Sequence, residues 1–136
     1  MNTPANPEGF EAVDSLAIDA LVIQQLTDDE RKRSVVYIDR RLRAPGEDEV
    51  GGQDIEPEYP YLVGFIDQKP GANWMHPCRY LLVDPVSRRV TSIVADRPPV
   101  FGVLPATWRV VWRPQKLDDW RLLPIAASPQ SEQNKR

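Results

Sequence analysis

The sequence predicts an α+β domain, with an N-terminal helical pair packed on a mainly antiparallel sheet of four or five strands. Three observations carry that expectation. Apolar residues recur at helical spacing only in the first third of the chain. From residue 61 onward the pattern changes to short β-prone runs separated by turn residues. The 14 prolines fall largely between apolar runs, which fits short strands joined by loops better than a helical bundle. With 136 residues, 41% of them hydrophobic and 27% charged, the chain suits one domain, 1–136, built on one packed core.

Residues 1–12 are polar and hold two prolines, so a mobile start is expected there. Their lack of a basic start and apolar run argues against a secretion signal, and no apolar run is long enough to span a bilayer. One cysteine cannot form an internal disulfide, so cytoplasm is the expected location.

A first helix is expected over 15–26, SLAIDALVIQQL, with Asp14 or Ser15 as its cap. Leu16, Ala20, Ile23 and Gln24 follow its 3.6 spacing, widened by Ala17, Leu21 and Val22. Thr27-Asp28-Asp29-Glu30 has the form of a capping box, in which Thr27 and Glu30 satisfy each other's backbone N–H groups. A second helix is therefore expected over 28–43. Its acids sit at the positive dipole end and Arg40, Arg41 and Arg43 at the negative end, with a Val35, Ile38, Leu42 stripe. The run SVVYI inside it is β-prone and pulls the other way. Residues 44–60 are acidic and rich in Gly and Pro, which marks a loop.

Strands are expected at 61–67, apolar on both faces, then at 78–84, 90–95 and 107–113, with a short edge strand at 121–125. Pro70-Gly71 fits a type II turn, and DPVSRR closes a hairpin over 78–95. DRPPVFGVLPA is expected to be irregular because its three prolines lack ladder donors. Residues 128–136 are polar and expected to form a disordered tail.

Two stretches hold the candidate functional residues. NWMHPCRY contains the only His, His76, two residues from the only Cys, Cys78. On a strand Trp74, His76, Cys78, Tyr80 and Leu82 share a face. A Cys78 nucleophile with His76 as base needs an orienting acid and an oxyanion hole, and the sequence identifies neither. A metal site would need carboxylates such as Asp67 or Asp84 to complete a His-x-Cys pair. Packing as core is the favoured role of both residues.

The second stretch, WRVVWRPQKLDDWR, places Trp108 and Trp112 on one strand face and Arg109 and Arg113 on the other, followed by Trp120 and Arg121. Trp and Arg are enriched at protein–protein hot spots, so these six are the candidate partner-binding residues. Aromatic and basic groups together also suit single-stranded nucleic acid. The net charge of −3 disfavours that class, though it divides into −8 over residues 1–60 and +5 over 61–136. The two halves can therefore attract each other within the fold. Asp118 and Asp119 are adjacent and would face apart on a strand, so they offer no carboxylate pair. No P-loop, dinucleotide fingerprint, zinc-protease or serine-elbow motif is present, so no cofactor or metal is expected. The expected function is a non-catalytic accessory or adaptor protein that docks another protein by the Trp/Arg-rich face or the acidic loop.

Overall fold

The computed structural model describes residues 7–46, 49–54 and 57–127, with side chains from residue 15 onward. The 128–136 tail and residues 1–6 of the expected mobile start lie outside the described residues. The expected α+β architecture is present, as two N-terminal helices followed by a five-stranded antiparallel sheet.

Helix α1 spans Pro7–Gln24, so its backbone starts well before the expected 15–26. Among its described side chains the buried ones are Ile18 and Val22, four residues apart and so on one face, extended past the helix end by Leu26. Leu16, placed in the stripe by spacing, is 78% exposed. Among the described residues no helix is long and apolar enough to cross a membrane.

Helix α2 spans only Asp28–Arg33, and the expected helix over 28–43 is corrected there. The capping box forms as expected: Glu30 N–H donates to Thr27 Oγ1 and Thr27 N–H to Glu30 Oε1, at 3.0 and 2.9 Å. The basic last turn is Arg31, Lys32 and Arg33 rather than Arg40, Arg41 and Arg43. Ser34 then turns extended and strand β1 runs Val35–Arg43. Val35 to Asp39 are five consecutive buried residues. A helix would bury only one stripe of them, whereas a strand inside a sheet covers both faces. Leu42, the end of the supposed stripe, is 48% exposed.

Strands β2 (Tyr61–Asp67), β3 (Cys78–Val83) and β4 (Val90–Ala95) continue from β1 as a meander. The turn between β2 and β3 has Gly71 at φ +85 and an Ala72 N–H to Lys69 O bond, as a type II turn requires. In the 84–89 loop the Asp84 carboxylate accepts from the N–H groups of Val86 and Ser87 and from the Ser87 hydroxyl. Strand β5 (Trp108–Trp112) returns to pair with β1, giving the order β4-β3-β2-β1-β5. The edge strand expected at 121–125 is not formed. Asp119–Arg121 make a 3-10 turn, and only Ile125 bridges to Leu104.

The sheet has two buried faces. Val36, Ile38, Leu62, Ile66, Leu81 and Val83 pack under α1. The opposite face carries Val35, Tyr37, Tyr61, Val63, Phe65, Cys78, Tyr80 and Leu82, and irregular segments cover it through Val50, Trp74, Val100, Leu104, Leu122, Leu123 and Ile125. This second cover is held by polar ties: Leu123 N–H donates to Tyr37 Oη at 2.8 Å and Tyr80 Oη donates to Arg97 O at 2.7 Å. Burial pushes the Tyr37 hydroxyl up to about 12.

The charge division is partly settled inside the fold. Arg109 grips Asp19 with both terminal nitrogens, at 2.8 and 2.6 Å. Arg79 meets the Glu30 carboxylate at 3.0 Å through Nε and 2.8 Å through Nη2. In both pairs the acid comes from the first half and the arginine from the second.

Candidate functional site

His76 and Cys78 do lie on the same side of the sheet, but they are not hydrogen-bonded to each other. Pro77 ends the loop and β3 begins at Cys78. His76 is 7% exposed, with Trp74 stacked on its ring at 4.1 Å. Its Nδ1 lies 2.8 Å from Asn73 O, which can only accept, so Nδ1 carries a proton. Its Nε2 lies 2.9 Å from Asp67 Oδ1. Both ring nitrogens are thus engaged by oxygens other than the Cys78 thiol. Burial pushes the Asp67 carboxyl up, against the lowering effect of the His76 and Lys69 N–H hydrogen bonds.

Cys78 is 1% exposed and its Sγ donates to Arg97 O at 3.4 Å. Burial pushes the thiol up to about 11, so thiolate is scarce at neutral pH. Native protein is expected to resist a mild alkylating agent at neutral pH and to take up one label per chain after denaturation. A native thiol labelled at the rate of free cysteine would restore the nucleophile reading. Among the described residues no cluster of three or more His, Cys, Asp or Glu is placed to hold a metal ion.

The expected Trp/Arg face is divided rather than continuous. A register shift between the Val36–Trp112 and Tyr37–Val110 pairs puts a bulge in β5. Trp108, 4% exposed, therefore joins the helix-free core, while Trp112 packs toward α2, corrected from the shared face that strict alternation implies. Trp112 Nε1 donates to Arg31 O at 3.0 Å. Arg109 is held by Asp19, and Arg113 donates to Leu117 O and to Asp119. Trp120 is different, because it is 67% exposed.

Comparison with protein-family models, curated proteins and solved structures returns no match. The chain's own side chains are thus the grounds for a functional reading.

Trp120 sits on the 3-10 turn against the β2–β3 turn. A Cβ on Gly71 would lie 2.9 Å from Arg121 Cγ and 3.0 Å from the Trp120 ring, so glycine permits this close contact. Arg121 donates to Pro70 O at 3.3 Å while its guanidinium stacks 4.7 Å from the Trp120 centroid. Met75, 61% exposed, adds apolar surface in the same β2–β3 segment.

A cleft lies among residues that, Trp108 apart, were not candidates in the sequence. The 49–53 and 97–101 segments flank this cleft of about 220 Å³, floored by Val63, Tyr80 and Trp108. Arg43, Glu49, Pro99 and Trp108 also line a shallower depression of about 400 Å³. The usable signals were Gly51-Gly52, which turn at φ +63 and +78 between the bridged Val50 and Gln53, and the exposed Phe101 beside Gly102.

Proposed function

We propose that the protein is a cytoplasmic, non-catalytic accessory or adaptor module that docks a protein partner on a surface centred on Trp120 and Arg121. The observation that carries this reading is a tryptophan left 67% exposed on a turn that is itself fastened to the sheet scaffold. A pre-positioned aromatic and an adjacent guanidinium are the groups most enriched among binding hot spots, and fixing them before contact lowers the ordering cost. The remaining candidates, Trp108, Arg109, Trp112 and Arg113, serve mainly the fold through core packing, Asp19, Arg31 O and Asp119 respectively. The lone cysteine fits a reducing compartment.

Trp120→Ala is expected to leave the melting midpoint unchanged, because little of that ring is buried. Loss of a hot spot should weaken partner binding about tenfold or more. Full-strength binding by a folded Trp120→Ala variant places the docking surface elsewhere.

A further inference from the structure

The cleft between the 49–53 and 97–101 segments has the composition of a small recognition site. Its volume, about 220 Å³, lies below the roughly 300–1,000 Å³ of pockets that bury drug-sized ligands, which suits a body about the size of one amino-acid residue. The floor is aromatic, Tyr80 and Trp108, and the exposed Phe101 stands at the rim.

The charged side chains lining the cleft are Arg43, Glu49 and Arg97. Arg97 is positioned from behind, because both the Tyr80 hydroxyl and the Cys78 thiol donate to its carbonyl. Its guanidinium lies along Gly52, where a Cβ would come within 2.7 Å of Nη1, so a side chain at 52 would displace it. Asp96 takes Arg97 Nε at 3.1 Å. Among the described residues Nη1 and Nη2 of Arg97 have no hydrogen-bond partner, and neither does the Glu49 carboxylate. A further acid, Asp39, is committed to Arg43 at 2.9 Å and to the Arg41 N–H at 3.1 Å.

We propose that this cleft binds a carboxylate carried on an apolar, residue-sized group. The carboxylate takes the paired Nη donors of Arg97, a charge-assisted geometry suited to a guanidinium. The apolar group lies against Tyr80, Trp108 and Phe101. Two sources share that chemistry: a free apolar amino acid, whose ammonium group Glu49 would meet, and the C-terminal residue of another chain, which has no ammonium group.

Titration of ¹⁵N-labelled full chain with L-phenylalanine, N-acetyl-L-phenylalanine and L-phenylalaninamide separates these outcomes. The two acids are expected to shift the backbone amides of Gly51, Gly52 and Phe101 at millimolar concentration, and the amide to leave them in place. Tighter binding of the free acid assigns a free amino acid, and tighter binding of the acetylated acid assigns a chain end. Arg97→Gln is expected to weaken either acid at least tenfold. That variant keeps the Arg97 carbonyl that Tyr80 and Cys78 use, and an unchanged spectrum away from the cleft confirms its fold. No shift with any probe, equal binding of amide and acid, or undiminished binding by Arg97→Gln overturns the proposal.

Discussion

Phe65→Ala is expected to cost about 3–5 kcal/mol of folding stability. Phe65 is fully buried in β2, and its ring centroid lies 4.9 Å from that of Tyr80 and 5.9 Å from those of Tyr37 and Trp74. Each neighbour anchors a different part of the helix-free cover. Tyr37 holds Leu123, Tyr80 holds Arg97, and Trp74 stacks on His76. The cavity left by the ring therefore cannot close by moving one side chain, which places the cost in the upper range for large-to-small changes. Urea unfolding followed by tryptophan fluorescence measures it, with Val86→Ala, at a position 86% exposed, as the neutral control. A loss below about 1 kcal/mol would mean that this aromatic cluster is not the core.

Glu30→Ala is expected to cost a similar amount, about 3–5 kcal/mol, by a different route. Its carboxylate accepts from Arg79 Nε and Nη2, from Gln68 Nε2 at 2.7 Å and from the Thr27 N–H. The Arg79 side chain is only 18% exposed, so removal of the acid leaves a guanidinium half-satisfied by Gln25 O and Ser92 Oγ. Removing one partner of such a pair costs more than the pair's own net contribution. The same carboxylate sets an acid limb. Burial pushes Glu30 up, but hydrogen bonds from Arg79, Thr27 and Gln68, with the Arg79 charge, outweigh that and hold it below its usual 4.5. A carboxyl lowered by folding stabilises the native state above its unfolded value. That contribution fades as pH falls from about 4.5 through the lower folded value. Wild-type stability should fall over that window, and Glu30→Ala should show a shallower fall. Equal slopes would remove Glu30 as the source.

Local chemistry was legible where it is self-contained. The Thr27–Glu30 capping box, the Pro70-Gly71 turn and the 78–95 hairpin each rest on neighbours in sequence, and each formed as expected. Strand β1 was misread because the capping box ahead of it signals a helix start without fixing the helix length. A strand flanked by β2 and β5 also buries both faces and loses its period-2 alternation. The bulge in β5 moved Trp112 away from Trp108, which one inserted residue does without any composition signal. The cleft joins residues 43, 49–52, 63, 80, 97–99, 101 and 108, so no local window contains it. Trp120 and Trp108 look alike in sequence, and only the bulk around them separates an exposed residue from a core one.

The direct test of the docking surface is capture from native lysate after nuclease digestion, by wild type and Trp120→Ala side by side, with cross-links to the captured protein mapped on the chain. The expected result is one defined protein held by wild type at moderate salt and lost by the variant, with cross-links on the 69–77 and 116–121 segments. Capture that disappears with nuclease would favour single-stranded nucleic acid instead. A protein held equally by both forms, and cross-linked elsewhere, would contradict the Trp120 surface.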